Sequence, residues 1–476
     1  MIENFKQSKL LKELFYNNKI ALYSGFFSLF LISSLALFLG INVELYLFVI
    51  LAIFGIFAIY LFLNYPWSWL YTIALTFALF FREEAEGVTT SDIIFGGFYF
   101  GSLYIWLFWY SLIKKRKLIK STGDWFIFAF LFLMILNLFI ALFNEVSALE
   151  WLRPSVMFSL ILYYFPIREY FQEKKNLKRF LFIVALSVLE MDYIQYYEYI
   201  KVSQNYQYAY EMLHSERNVQ TYFTAGTIAG MIFCIFEKNM IKRIIYLIFT
   251  SLTLGAVIST FARTYWIYLL FSTVIIFLLS GKIQKLRIFG YSITMSILIS
   301  FLIFFLYKDN SKIFVRGLEY RLQSSTQGKK DISLQSRFAE YKVEYDFIKQ
   351  FPLGGNGSGK LFHFYDPVNS NSKITNYQHN GYLLLFYRFG IPLGLIYIFI
   401  LYYFMHKGYK NLFNQKDKFN KIISITSFLT LTLLIVANLV SSQFYTRDAV
   451  FILAISIALI NIAEKNKQMN RDPQYA

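Results

Sequence analysis

The chain has 476 residues, of which 57% are hydrophobic, 21% aromatic and only 16% charged. A soluble globule has no means of covering that much apolar surface, so the composition reads as an integral membrane protein. A formal charge of +17 would suggest nucleic acid in a soluble protein, but most of the excess falls in short loops, where it sets topology, and no nucleic-acid partner is expected.

The opening "MIENFKQSKLLKELFYNNK" is polar and amphipathic, and the first apolar run, 20–40, is long enough to span, so it is expected to stay as a signal anchor. Further runs of spanning length lie near 43–63, 67–81, 93–113, 125–143, 153–167, 180–199, 221–236, 244–260, 264–280, 288–306, 381–405, 422–440 and 449–463. The prediction is an all-α, polytopic membrane protein of about fourteen transmembrane helices. The lone cysteine, Cys234, lies inside one of these runs, which excludes a disulfide framework and a multi-cysteine zinc site.

Charge alternation orients the spans. With a cytoplasmic N terminus, every second loop is cytoplasmic, and these read "KKRKLIK", "REYFQEKKNLKR", "EKNMIKR", "GKIQKLR" and "HKGYKNLFNQKDKFNK", all basic. The alternate loops, such as "REEAEGVTTSD" at 82–92 and "NEVSALEWLR" at 144–153, are acidic or mixed, and the tail "AEKNKQMNRDPQYA" returns to the cytoplasm. The expected organisation is a transmembrane bundle of about eleven spans over 1–306, one large outer loop over 307–379, and C-terminal transmembrane helices with a cytoplasmic tail over 380–476.

Within the large loop, "SRFAEYKVEYDFIKQF" places Phe338, Tyr341, Tyr345 and Ile348 on one face of an amphipathic helix expected to lie across the membrane face. Pro352 and Gly354 stop it, and a stretch rich in turn formers then meanders back to His379. A second outer loop near 200–220 contains "YAYEMLHSERNVQ". The segment "GGNGSGK" at 354–360 has the glycine and lysine spacing of a phosphate-binding loop, but Leu361 stands where a magnesium-holding hydroxyl is needed and no strand precedes it. It reads as a flexible turn, with a backbone-amide nest for some other phosphate as the lesser alternative.

"NYQHNGYLLLFYRFGIPLGLIYIF" puts His379 and Asn380 at the mouth of a span and Arg388 inside it. From position alone His379 reads as an interfacial anchor with its tip in water, Arg337 as an exposed loop cation, and Arg263 as a cation snorkelling to the headgroups. Arg388 lies about 13 Å deeper than His379 along a continuous helix. Its depth calls either for a partner inside the bundle or for a wet cavity; the favoured reading is a structural ion pair, for which "LEMDY" offers Glu190 and Asp192. The break at Gly390-Ile391-Pro392 frees backbone groups that protein or water must satisfy, with a cavity expected below the site.

An arginine opening an amphipathic helix, a proline and glycine-rich turn, then His-Asn-x-Tyr-Leu leading into a span with Gly-x-Pro resembles the O-antigen ligase and polysaccharide polymerase family of bacterial envelopes. Here the pattern is "SRFAEYKVEYDFIKQFPLGGNGSG" followed by "QHNGYLLLFYRFGIPLG", over roughly 336–394. "STFARTYWIYLL" at 259–270 resembles the family's Ser-Arg element, with Ala262 where a serine is usual. The family often carries an acidic residue near Arg388, so no role passes to that arginine by resemblance. The resemblance implies a membrane glycosyltransferase whose donor is a glycan on a polyprenyl diphosphate. Arg263 and Arg337 would then stabilise the diphosphate leaving group, which a guanidinium contacts bidentately. His379 would steer the acceptor proton, since an imidazole titrates near neutral pH. Asn380 and Tyr382 would border the substrate. Arg217 and Arg447 would extend a cationic collar, unless each only pairs with its neighbour, Glu216 or Asp448.

The leading reading is a polysaccharide polymerase joining lipid-linked repeat units, of O-antigen or capsule type, at the outer face of the bacterial cytoplasmic membrane. The close sibling is a ligase transferring glycan to a lipid core, and the alternative from another class is a lipid-linked glycan flippase. Against the flippase stands the single large outer loop, since alternating-access carriers more often show repeated halves and midplane sites. The expected partners are the donor, a glycan acceptor, membrane lipid and a chain-length regulator protein. No metal or nucleotide cofactor is expected.

Overall fold

A computed structural model of the chain describes residues 65–80, 94–203, 219–307, 311–324, 332–366, 370–375, 378–413, 415 and 417–469. The spans expected at 20–40 and 43–63, the loop 82–92 and Arg217 lie outside the described residues. The chain divides into two compact units, Met1–Trp69 and Leu70–Ala476. The first is described from Tyr65, whose carbonyl accepts from Ser68 N at 2.9 Å where a helix opens at Pro66.

In the second unit the described residues are helical almost throughout. Turns of π- and α-helix run from Gly96 to Ile113. There follow α1 (Thr122–Phe143), α2 (Ala148–Phe158), α3 (Tyr164–Tyr170), α4 (Lys174–Ser203), α5 (Gln220–Phe236), α6 (Met240–Ser259), α7 (Arg263–Leu278) and α8 (Lys282–Tyr307). After these come α9 (Ser311–Ser324), α10 (Ile332–Gln350), strands β1 (Phe362–Asp366) and β2 (Asn371–Thr375), α11 (Gly381–Leu412), α12 (Lys418–Ala437) and α13 (Arg447–Met469). Starts are locally encoded: Ser121 with Asp124, and Ser147 with Glu150, form capping boxes at α1 and α2.

Among the described residues, α1, α6, Lys282–Phe305 of α8, α11 and α12 are long and apolar enough to cross a membrane, and α5 and α7 are shorter apolar helices. Leu286, Phe289, Ile293, Ile297, Phe301 and Phe304 leave α8 broadly exposed, a surface suited to lipid. By contrast α13 is buried from Ala449 to Ala463 on nearly all sides, the pattern of a helix enclosed by others. The expected span at 153–167 is in three pieces, with a 3-10 segment Ser159–Tyr163 between α2 and α3. Pro166 lacks an N–H and crowds the carbonyl four residues back, which disrupts an α-helical ladder at this point.

One irregularity organises the site. Within α11, Gly390 has φ +77° and ψ 169°, so the helix breaks there. Tyr387 and Arg388 lose their helical donors, because Ile391 is displaced and Pro392 has none. The glycine-rich segment supplies replacements: Asn356 N and Nδ2 donate to Tyr387 O at 2.7 and 3.2 Å, and Gly357 N donates to Arg388 O at 3.0 Å. Ile391 N turns to Pro352 O at 2.8 Å. Asn137 of α1 completes the seam, donating to the carbonyls of Gly354 and Arg388, both at 3.1 Å, and accepting from Ser358 N. The break is therefore closed by protein, where the sequence suggested a cavity.

The amides of Asn356 and Gly357 are thus committed to α11 and are unavailable as a phosphate nest. Lys360 Nζ likewise donates to Asn144 O at 2.8 Å, at the end of α1. The glycines are there for approach: a Cβ on Gly355, φ +69°, would stand 2.5 Å from Gly390 N.

The described fold is all-helical as expected, with a small two-stranded antiparallel hairpin pairing Phe362 with Thr375 and Asp366 with Asn371. "FHFYD" alternates buried and exposed, so Phe362 and Phe364 join Ile348 and Tyr387 in one cluster. The hairpin is the apolar floor under α10.

Gly390→Ala is expected to destabilise the protein by at least about 1–3 kcal/mol from backbone strain, since its Cβ would also stand 2.3 Å from Leu353 O. Gly290→Ala in α8, where a Cβ meets nothing within 4 Å, should be neutral or slightly stabilising. Melting temperatures in detergent check this, and equal values for the two variants would contradict the break.

Candidate active site

The helix expected in the large loop is present as α10. Of its aromatic face Ile348 is buried while Phe338 and Tyr345 are 58% and 54% exposed, and Glu340 and Glu344 are buried beside Ile348. With Arg337 they follow the i, i+3, i+7, i+11 spacing of one helical stripe. Two acids occupy that stripe because the chain opposite supplies donors and a cation.

Glu340 is the hub. Its Oε1 accepts from His379 backbone N at 2.6 Å and its Oε2 meets His379 Nδ1 at 2.7 Å. An ionised carboxylate can only accept, so against it Nδ1 is the donor and Nε2 is the ring nitrogen left free of this contact. The Glu340 side chain is 2% exposed and that of His379 is 38% exposed. One buried carboxylate therefore sets the position and tautomer of an imidazole that solvent can reach.

The residues after His379 anchor it. Asn380 caps α11, its Oδ1 accepting from Tyr382 N and Leu383 N at 2.9 and 3.2 Å. Gly381 N donates to Asn438 O at 2.8 Å, and a Cβ there would stand 2.1 Å from Asn438 Oδ1. Tyr382 Oη donates to Ile435 O at 2.8 Å. Ser442 Oγ bonds Gln378 O, tying the residue before His379 to the turn between α12 and α13. Asn380 and Tyr382, read from the sequence as substrate-bordering, thus use these polar groups to hold α11 against the end of α12.

Arg337 lies half-buried one turn before Glu340, and its Nε has no hydrogen-bond partner among the described residues. Arg263 is the first residue of α7. That helix start is tied to the same turn through Tyr265 Oη and Thr221 Oγ1, 3.1 Å apart, and Thr221 Oγ1 to Gln443 Oε1, 2.8 Å. Arg447 opens α13 with its guanidinium 4.6 Å from the centre of the Phe95 ring. Arg263, Arg447 and His379 are therefore linked to one turn, at one end of the helices.

Arg388 is 1% exposed, with its guanidinium 4.5 Å from the centre of the Tyr445 ring. Its charge acts on Glu344 and not on Glu190 or Asp192, the partners suggested by the sequence. Burial pushes the Glu344 carboxyl above the usual carboxylate range, the adjacent Glu340 pushes it further, and Arg388 opposes both. Neither Glu344 oxygen receives a donor among the described residues, and the side-chain group in hydrogen-bonding contact with it is the Glu340 carboxyl.

Glu340 and Glu344 are the functional residues that sequence reasoning missed. The signal was their spacing three and seven residues after Arg337, on that arginine's own face. Among the described residues no three His, Cys, Asp or Glu side chains converge as metal ligands would.

Glu340→Gln should cost about 1–3 kcal/mol, because an amide presents a donor to one of the two His379 donors. Phe338→Ala, on the exposed face, should stay within about 0.5 kcal/mol. Thermal melts of both variants check the assignment of faces, and the reverse ranking would contradict it.

A search of curated proteins finds no match to the chain. Residues 248–398, which include Arg263, Arg337, Glu340, Glu344, His379 and Arg388, match the O-antigen ligase family model, and for that stretch the resemblance carried by the motifs is shown.

Proposed function

We propose that the protein is a membrane glycosyltransferase that polymerises glycan repeat units carried on polyprenyl diphosphate. The observation that carries this reading is the solvent-reached imidazole of His379 held by the buried Glu340, one helical turn after Arg337. His379 Nε2 accepts the proton of an acceptor hydroxyl as the oxygen attacks the anomeric carbon of the donor. The bond from that carbon to the diphosphate oxygen breaks, and its electron pair leaves with the diphosphate. Glu340 stabilises the imidazolium that forms, and Arg337 and Arg263 neutralise the charge that develops on the leaving group. The N–H groups at the start of α7 add to the pull on a phosphate. Arg447 and Arg217 complete the collar.

The sidedness belongs to the same proposal. Charge alternation places 307–379 on the outer face, the termini in the cytoplasm and about fourteen spans in the membrane. That side holds lipid-linked donors and lacks ATP, and guanidiniums do the work that a metal does in nucleotide-sugar enzymes. Transfer to a lipid core is supported by the description of the matched family as O-antigen ligase. The chain's 38 Tyr and 54 Phe suit a strain-specific glycan partner and favour polymerisation. A chain-length regulator is the partner that a polymerase would take.

Glycan chain formation in a deletion strain, with membrane levels of each variant quantified, tests the chemistry. His379→Ala should lower turnover by about 10²–10⁴-fold with donor binding retained. Arg337→Lys should fail although charge is kept, because an ammonium makes no two-pronged contact. Arg263→Ala should weaken donor binding as well as turnover. Lys360→Ala should leave turnover intact and alter only stability. Normal polymer from His379→Ala at wild-type abundance would reduce His379 to an interfacial anchor. Accumulation of single repeat units on the lipid carrier in the deletion strain would support polymerase; full-length polymer left on the carrier would point to ligase.

Cysteines introduced at Ser325 and Asn414 in a Cys234→Ser background test sidedness. An impermeant reagent applied to intact cells should label position 325 and spare 414; the opposite result would remove the case for an outer site. Purified protein should also transfer glycan in chelator without ATP, and activity that returned only with magnesium would overturn the arginine-based account.

A further inference from the structure

We infer that Glu340 and Glu344 hold one proton between them, and that this pair, balanced by the buried Arg388, is the counter-charge of His379. The catalytic part rests on the proposed role of His379 as base; the charge state of the pair does not. The two carboxyls stand one helical turn apart on one face of α10, and Glu340 and Glu344 are 1% and 0% exposed. Like charges at this spacing repel even on a surface, and with both buried, two ionised carboxylates are strongly disfavoured.

The hydrogen bonds say which of the two is ionised. Both oxygens of Glu340 receive donors from His379 at 2.6 and 2.7 Å, lengths typical of a charged acceptor. Glu344 has no donor to either oxygen among the described residues. A bare carboxylate in that place bears the full cost of desolvation, and a neutral carboxyl bears far less.

The remaining groups agree. Facing the pair from α11 are Arg388 and Tyr387, and from the residue before the α11 cap His379, with Tyr445 against Arg388. On β1, Phe362, Phe364 and Asp366 are buried, the last paired with Lys373, while His363 and Tyr365 are exposed. Arg337 shares the stripe from α10. With one proton the pair carries a single negative charge beside the buried Arg388, and a proton taken by His379 meets a carboxylate already in contact. Glu344 is in this sense a positioning residue, and Arg388 sets how much negative charge the pair can hold.

The linkage sign follows. Glu344 is protonated when folded and, near neutral pH, ionised when unfolded, so the folded state binds the extra proton. Its contribution to stability is fully present below the ordinary carboxyl pKa of about 4.3 and is lost as pH rises through the higher folded value.

Glu344→Gln, purified in detergent, tests this against wild type. Between about pH 5 and about pH 9 the wild-type melting temperature should fall by more than that of the variant, which has no proton to lose at this position. The wild-type minus variant infrared spectrum at neutral pH should show the carbonyl band of a protonated carboxylic acid, a readout that survives even if the variant is less stable. Glu340→Gln, which removes the carboxylate that accepts from both His379 donors, should lose turnover. A carboxylate band in the difference spectrum, or a variant destabilised equally at every pH, would mean that Glu344 is an ionised partner of Arg388 and would overturn the inference. If wild type transferred no glycan, the proposed reaction would fall while the melts and the infrared band would still decide the charge of the pair.

Discussion

Inside a bilayer every backbone N–H and C=O must find a partner within the protein, and α11 breaks its own ladder at Gly390. The carbonyls freed at Tyr387 and Arg388 draw in the segment 352–358, whose amides take the place of the missing turn. Because that segment directly follows α10, satisfying the break also fixes where α10 ends. The stripe bearing Arg337, Glu340 and Glu344 then lies against the start of α11 and the residue that precedes its cap, His379. A helix defect of two residues thereby places the chemistry several turns away.

The second constraint is electrostatic. A carboxylate buried to the degree of Glu340 persists only with donors on both oxygens, and a single residue, His379, provides them through its backbone and its ring. The pairing orients the imidazole from a helix rather than from a mobile loop, which gives it a defined direction. The rest of the motif has equally specific work. Asn380 closes the helix start, Gly381 permits the approach to Asn438, and Tyr382 ties the first turn of α11 to α12. What looks in the chain like one motif is an imidazole held by a buried carboxylate, followed by three residues that fix the helix start.

Arg263, Arg447 and His379 are far apart in the chain but reach one turn, 438–446, through short hydrogen-bonded links and helix starts. That turn is itself held by Asn438 and Ser442. Lys360 illustrates the opposite case: a cation in a phosphate-loop spacing whose ammonium caps the end of α1.

Much of this was legible in the residues themselves. Composition determined a membrane protein, apolar runs determined most helices, and the His-Asn-Gly-Tyr motif marked the start of α11, because burial cost and helix capping act locally and leave local patterns. The face that α10 buries was not legible. Phe338, Tyr341 and Tyr345 outweigh two glutamates on any hydropathy count, and only the donors of His379 and the charge of Arg388, brought from elsewhere in the chain, reverse that preference. The hairpin β1–β2 and the role of "GGNGSGK" were hidden for the same reason: each depends on a partner, Ile348 and Tyr387 in one case and the open carbonyls of α11 in the other. The sequence determined which groups are present and where the chain turns; tertiary structure alone decided which acid meets which base, since a buried charge takes its state from neighbours that the local sequence does not contain.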